Sequence, residues 1–190
     1  MREATLVILI HQLLFQGIFF AKNIVLRRKL GRAIHGYNPE ATLAIGFFAV
    51  FIGVSIWLAQ TGCQWGSFAL LPPWAAVAIG LALLGANMLV AAASLVQLGD
   101  SWRVGVIEGQ KTALVESGIY RFSRNPYFLS YLLMFGAYTV LLQNAVLLGL
   151  GGIGFILIQK MVLREEKYLA TLHCDEYRQY CRRVPRYLLR

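Results

Sequence analysis

Charged residues are scarce in this chain. They make up 14% of its 190 residues, whereas 58% are hydrophobic and the mean hydropathy is +0.60. This composition excludes an ordinary soluble domain and indicates a membrane protein. Acidic residues are scarcer than basic ones, with nine Asp and Glu against 18 Lys and Arg. The basic residues lie between and after the apolar runs. That arrangement favours a positive-inside membrane topology over a nucleic-acid-binding protein, so we expect no nucleic-acid partner.

Cysteine is also scarce. Cys63, Cys174 and Cys181 form an odd set, and their spacing matches no known metal-ligand pattern. We therefore expect free thiols and no metal site. Cys174 and Cys181 are expected in a reducing cytosol, where disulfides are rare.

Five apolar runs approach or reach the length of about 20 residues that a helix needs to cross the hydrocarbon core. They cover residues 5–26, 41–58, 74–96, 127–142 and 145–163. The fourth run only just spans, and Gln143 and Asn144 alone separate it from the fifth, which predicts a tight helical hairpin. The sequence thus predicts an all-α integral membrane fold, a single domain over residues 1–190 with five transmembrane helices. A helical tail from residue 164 is expected on the membrane surface or folded back over the polar segment before the fourth span.

The basic residues predict the topology of these spans. Four Lys or Arg follow the first span, four lie between the third and fourth, and eight follow from Lys160 onward. The second connection and the hairpin turn contain none. Because Lys and Arg are retained on the cytosolic side, we expect a multi-pass protein of the cell (inner) membrane with its N-terminus outside and its C-terminus in the cytosol.

The first span contains several polar side chains. The spacing of Gln12, Gln16 and Asn23 places them near one helical face, which we expect to point into the bundle or a wet cavity rather than into lipid. For His11 a helix-packing hydrogen bond is favoured over a catalytic role, which is retained as the alternative.

Adjacent carboxylates, Glu165 and Glu166, stand where the last apolar run ends. Carboxylates at that depth are costly unless a cation meets them. One interpretation is a solvated helix end paired with Arg164 and Lys167. The other is that one carboxylate points into the bundle and holds a cationic ligand or sugar hydroxyls. Spacing alone does not separate the two.

The longest polar stretch inside the chain ends at a helix start. It contains Gly118-Ile119-Tyr120 and then Arg124-Asn125-Pro126, with Pro126 at the first helical position, where its missing N–H costs least. A glycine turn with exposed backbone and aromatic faces suits a planar polar ligand. The alternative is an ordinary loop in which Gly and Pro are simply turn residues.

Taken together, these motifs resemble a family of membrane enzymes. Gly118-Ile119-Tyr120, Arg124-Asn125-Pro126, Glu165-Glu166-x-x-Leu169 and the ending Tyr177/Tyr180/Arg183-Val184-Pro185 are similar to the isoprenylcysteine carboxyl methyltransferase and phospholipid methyltransferase superfamily. The resemblance covers about residues 99–187 and implies a cofactor-binding region over residues 99–190.

The resemblance implies that S-adenosylmethionine is the cofactor. Its contact positions in the family correspond here to Thr112, Ala113, Leu114, Val115, Tyr120, Asn125, Pro126, Tyr127, Phe128 and Glu165, with Glu166 completing the acidic pair. Carboxylates too near the sulfonium would stabilise the ground state more than the transition state, so we expect Glu165 or Glu166 to hold the amino or ribose end.

This chain departs from the family pattern at three positions. Carboxyl-methylating members usually have His where this chain has Asn125, whereas phospholipid N-methylating members can have Asn. The Tyr expected two residues after the Pro is Phe128, with Tyr127 beside it. The substrate-binding Arg of carboxyl-methylating relatives is replaced by Met161. The Asn125 departure favours an acceptor other than prenylcysteine, and the Phe128 departure leaves open whether Tyr127 or Phe128 contacts the cofactor.

The expected activity is S-adenosylmethionine-dependent methyl transfer to a lipophilic acceptor at the cytosolic membrane face. A lipid amine is preferred, and a carboxylate or thiol stays open. Tyr127, Asn125 and His11 are the candidate catalytic residues, although no clear general base is visible and desolvation of an amine can serve instead. The alternatives are an NADPH-dependent membrane reductase of the sterol-reductase type and a non-catalytic scaffold or transporter subunit.

Overall fold

The protein is described by a computed structural model that covers residues 2–31, 39–102 and 113–188. Five α-helices contain most of these residues. They are α1 (Arg2–Leu30), α2 (Pro39–Thr61), α3 (Pro73–Leu98), α4 (Pro126–Leu142) and α5 (Ala145–Arg183). Two short 3-10 helices, Gly99–Ser101 and Gly118–Arg121, lie between α3 and α4. The described residues form no strand, so the all-α prediction is confirmed for them.

Four helices are long and apolar enough to cross a membrane, namely α1, α2, α3 and α5. Helix α4 is equally apolar in character but has 17 residues, slightly fewer than the usual span. The first, second, third and fifth predicted spans are therefore supported by length and composition, and the fourth, residues 127–142, stays a prediction. Helix α4 packs mainly against α3 and also against α5.

The turn between α4 and α5 is as tight as predicted. Helix α4 ends at Leu142, Gln143 adopts a left-handed conformation with φ of 42°, and α5 begins at Ala145. The Asn144 side chain caps α5 by accepting a hydrogen bond from the Val146 backbone N–H at 2.9 Å. These two polar residues thus turn the chain and satisfy the helix end.

The connection between α2 and α3 is bound to this turn. The Ala145 N–H donates to the Gly66 carbonyl at 2.7 Å, and the Phe68 N–H donates to the Gln143 carbonyl at 2.9 Å. The Gln143 side chain accepts from the Leu71 N–H at 2.7 Å and donates to its carbonyl at 2.9 Å. The two connections without Lys or Arg therefore lie at the same end of the bundle, as the charge pattern requires.

A polar network lies inside the bundle. The His11 ring contacts the Tyr138 hydroxyl through Nδ1 and Asn87 Oδ1 through Nε2, both at 2.8 Å. Gln12 donates to the same hydroxyl at 2.8 Å, and Asn87 donates to the Ser130 carbonyl at 2.6 Å. All five side chains are buried. Both ring nitrogens of His11 thus have partners, which supports the packing interpretation of this residue.

The other polar residues of α1 divide between two environments. Asn23 is half-buried and accepts a hydrogen bond from the Trp102 indole at 2.8 Å, and Gln12 is buried as expected. Gln16 is exposed, so it does not lie in the bundle interior, and the other expected environment, a wet cavity, stays a prediction for this residue. Its amide instead reaches back one helical turn and donates to Gln12 Oε1 at 3.3 Å, which pairs the polar group without burying it.

Helix α5 runs well beyond its apolar part. It continues without a break past residue 163 to a kink at Cys174, where φ is 47° and ψ is −117°. Beyond the kink the chain reverses, and the buried side chains of Tyr177, Tyr180 and Val184 pack with Leu114 and other nearby apolar residues. The tail is predicted either to lie on the membrane surface or to fold over the polar segment before the fourth span. Its contacts with Leu114 match the second position.

Candidate functional site

The polar segment before α4 turns at Gly118. This residue has φ of 61°, a region that side chains with a Cβ rarely adopt. The Gln97 side chain occupies the space where a Cβ on Gly118 would lie. Its Oε1 accepts a hydrogen bond from the Ile119 N–H at 2.5 Å. The glycine therefore allows α3 to fix the start of the Gly118–Arg121 helix.

Tyr120 connects this short helix to the tail. Its side chain is buried, and its carbonyl accepts a hydrogen bond from the Tyr180 hydroxyl at 2.7 Å. Burial raises the pKa of Tyr120 well above its usual value, and the negative charge of Glu165 raises it further. Tyr120 thus stays protonated at neutral pH and lies within electrostatic range of Glu165.

Asn125 lies directly before α4 and binds two other elements. Its backbone N–H donates to the Ser123 hydroxyl and to the Arg186 carbonyl, both at 3.2 Å. Its side-chain amide donates to Glu166 Oε1 at 3.0 Å and to the Arg186 carbonyl at 3.3 Å. Asn125 therefore joins α4, α5 and the tail at one point. An amide carries no basic nitrogen, so this residue can position groups but cannot accept a proton.

The two adjacent carboxylates have different environments. Glu166 is buried, and its Oε2 accepts from Arg186 Nη2 at 2.8 Å and Nε at 3.1 Å. Arg124 Nη1 lies 3.4 Å from the other oxygen, Oε1. Glu165 has an exposed surface and forms no hydrogen bond or salt bridge within the described residues, but burial of its carboxyl group and the charge of Glu166 raise its pKa to about 7. One carboxylate is therefore held inside the protein by two arginines, while its neighbour is available to a ligand.

Tyr127 points into an aromatic cluster rather than into solvent. Its ring centroid lies 4.6 Å from that of Trp102 and 5.0 Å from that of Phe19, both in edge-to-face geometry. Its hydroxyl is 3.3 Å from the Tyr131 hydroxyl. Phe128 is half-buried and packs its ring against Tyr127 at 5.5 Å, so the two residues form one apolar wall.

Residues 113–116 form an irregular segment next to the tail. The Ala113 carbonyl accepts a hydrogen bond from the Ser101 hydroxyl at 3.4 Å, and Leu114 packs against the tail cluster. Among the described residues, the N–H groups of Leu114, Val115 and Glu116 have no hydrogen-bond partner. Thr112, the first predicted residue of this segment, lies outside the described residues. The segment therefore offers backbone donors that a ligand can use.

The family model for phospholipid methyltransferases matches residues 75–175, just over half of the chain. The chain belongs to the phospholipid methyltransferase family. Membership confirms the predicted superfamily and supports membrane methyl transfer over the reductase and scaffold alternatives. The matched residues include α4, the polar segment and both carboxylates. A search of curated proteins gave no match.

In this family member the structure brings together most of the predicted site residues. Asn125, Glu166 and Tyr120 are joined through the tail, and Glu165 lies within electrostatic range of Tyr120 and Tyr127. His11 is not among them. It precedes Phe19, the nearest α1 contact of Tyr127, by about 12 Å along the helix axis.

Three contributors to the candidate site of this family member were not found by sequence reasoning. Gln97 orders the Gly118 turn, Ser123 accepts a hydrogen bond from the Asn125 N–H, and Arg186 binds Glu166. Arg186 directly follows the Val184-Pro185 motif, and this position next to a family motif could have marked it as a site residue. No feature of the sequence marked Gln97 or Ser123 as a site residue, because single polar residues near helix ends are common.

Proposed function

We propose that this chain transfers a methyl group from S-adenosylmethionine to a lipid amine at the cytosolic membrane face. The observation that carries the proposal is the different environment of the two carboxylates, since only Glu165 is available to a cation. Family membership supports methyl transfer as the reaction class. Beyond family membership, the proposal adds the identity of the acceptor, the cofactor and the side of the membrane on which the reaction takes place.

The residues present suit this cofactor. Glu165 is an exposed carboxylate that can pair with the ammonium group or the ribose hydroxyls. The N–H groups of residues 114–116 can donate to the polar edge of the adenine ring. The rings of Tyr120 and Tyr127 lie near Glu165 and make the protein side of the site apolar. When bound, S-adenosylmethionine supplies an electrophilic methyl group on a cationic sulfur.

The protein acts mainly by positioning and by excluding water. Correct orientation of two reactants can contribute about 7–11 kcal/mol to lowering a barrier. The buried ring of Trp102 and the rings of Phe19 and Tyr131 surround Tyr127 and make this side of the site apolar. An apolar environment disfavours an ammonium ion, so it favours the neutral amine whose lone pair attacks the methyl group. Asn125 fixes the helix start but takes no proton.

Calorimetric titration of the detergent-purified protein tests the cofactor. We expect S-adenosylmethionine and S-adenosylhomocysteine to bind and NADPH not to bind. Glu165→Gln should weaken the binding of S-adenosylmethionine about tenfold or more, because it removes a charge-assisted contact. Glu176→Gln is the matched control, since Glu176 is 68% exposed on the tail and its loss should leave affinity unchanged. Binding of NADPH alone would overturn the proposal in favour of a reductase.

The acceptor is tested with labelled methyl groups. The protein would be supplied with S-adenosylmethionine carrying a radioactive methyl group and with vesicles of phosphatidylethanolamine or of phosphatidylcholine. Label should enter the lipid fraction only with the first, whose headgroup has a primary amine. Vesicles that contain a free fatty acid or a lipid thiol would be assayed in parallel, and labelling of either to the extent seen with phosphatidylethanolamine would contradict the amine assignment while leaving the methyltransferase assignment in place.

A further inference from the structure

Residues 184–187 form a strap across the start of α4. The Pro185 carbonyl accepts a hydrogen bond from the Arg124 N–H at 3.0 Å, and the Arg186 carbonyl accepts from the Asn125 N–H at 3.2 Å. The Ser123 hydroxyl also donates to the Arg186 carbonyl, at 3.1 Å. Tyr187 anchors the far side of the strap by donating to Gln159 Oε1 at 2.9 Å. The backbone of Arg186 is thus fixed on both sides.

The Arg186 side chain is directed at one oxygen of Glu166. Both its Nε and its Nη2 donate to Oε2, whereas Asn125 and Arg124 approach Oε1. The hydrogen bonds to this carboxylate raise the pKa of Arg186, which therefore stays charged. Four donor atoms surround Glu166, so its charge is compensated and its orientation is fixed.

Glu166 is the carboxylate whose charge is compensated at this site. It faces the positive charges of Arg124 and Arg186, whereas burial and the charge of Glu166 raise the pKa of Glu165 to about 7. Because both arginines face Glu166, Glu165 is left as the carboxylate without an ion-pair partner within the described residues. Loss of either arginine would leave the site one charge more negative next to a cationic ligand.

We infer that Arg186 is a positioning residue of the cofactor site. It holds Glu166 and cancels its charge, so that Glu165 alone attracts the cofactor. This inference rests on the proposed function. An uncompensated Glu166 would bind the cationic sulfonium more strongly in the ground state than in the transition state, where that positive charge disappears, and would thereby slow methyl transfer.

The discriminating readout is the ratio of two dissociation constants, that for S-adenosylhomocysteine divided by that for S-adenosylmethionine. The two ligands differ by one methyl group and one positive charge, so a purely structural defect affects them alike. Arg186→Gln should raise this ratio about threefold, the effect of one unit charge at about 10 Å in partly aqueous surroundings. Glu166→Gln should lower it by a similar factor.

Two further variants separate charge from shape. Arg186→Lys keeps the charge but loses the two-pronged contact, so the ratio should stay at the wild-type value even if both affinities fall. The double variant Arg186→Gln/Glu166→Gln restores the balance and should return the ratio to wild type. Arg178→Gln is the control, because Arg178 is 73% exposed and pairs with Asp175 on the tail.

The outcomes distinguish this inference from the proposed function. If Arg186→Gln and Glu166→Gln both weaken the two ligands equally, the ratio is unchanged, the inference is wrong and the proposed function stands. Should Arg186→Gln fail to fold, an unchanged ratio in Glu166→Gln alone would overturn the inference. If the folded wild-type protein binds neither ligand, the proposed function fails and the inference fails with it.

Discussion

Replacing Glu166 by glutamine should destabilise the protein far more than the same change at Glu165. The Glu166 and Arg124 side chains are 11% and 12% exposed, and Arg186 is 34% exposed. Breaking a fully buried ion pair from one side costs about 3–5 kcal/mol. Because Arg186 is partly solvated and glutamine keeps one acceptor oxygen, we expect a loss of about 2–3 kcal/mol. The melting temperature should fall by about 5–10 °C for a chain of this size.

The neighbouring residue provides the matched control. Glu165 has no ion-pair partner among the described residues, and its raised pKa shows that the folded protein disfavours its charged form, so replacement by glutamine should leave the melting temperature unchanged or raise it. Thermal unfolding of the detergent-purified variants would be followed by far-ultraviolet circular dichroism. No cofactor would be added, because ligand binding itself stabilises the folded state. Equal melting temperatures for the two variants would refute the assignment of one structural and one available carboxylate.

Two glycine exchanges test the backbone. Gly118→Ala should cost about 2 kcal/mol, because φ is positive and the new Cβ would meet the Gln97 side chain, whereas Gly85→Ala inside α3 meets no atom within 4 Å and should stabilise by up to about 1 kcal/mol. Equal melting temperatures for these two variants would contradict the steric reasoning. Cys174→Gly should raise the melting temperature by about 2–4 °C by relieving the unfavourable backbone at the kink, and Cys174→Ser, which keeps a Cβ, should not. A gain in the serine variant of the same size would mean that the thiol, not the backbone, is the cause.

The helices could be predicted because apolar length is a strong local signal. The α4–α5 hairpin followed from the two-residue break at Gln143-Asn144, and the common end of the two uncharged connections followed from the charge pattern. The kink in α5 could not be predicted. Cys174 is not a residue that favours positive φ, so nothing local marks the place where the tail turns back.

The site was predictable as a set of residues but not as a division of roles. Glu165 and Glu166 are adjacent on a helix, so they point in directions about 100° apart. Which of them faces the protein depends on where Arg124 and Arg186 lie, and those residues come from segments that meet Glu166 only in the folded state. Gln16 shows the same limit, since helical spacing places it near Gln12 but cannot say which face of α1 its neighbours cover.

The strap has a consequence for how the protein is made. All five helices have been synthesised by residue 183. Until Arg186 follows, Glu166 lacks its two-pronged partner and the start of α4 lacks the carbonyls of residues 185 and 186. The contacts that fix Glu166 and the start of α4 are therefore completed only after every helix of the described chain has been made.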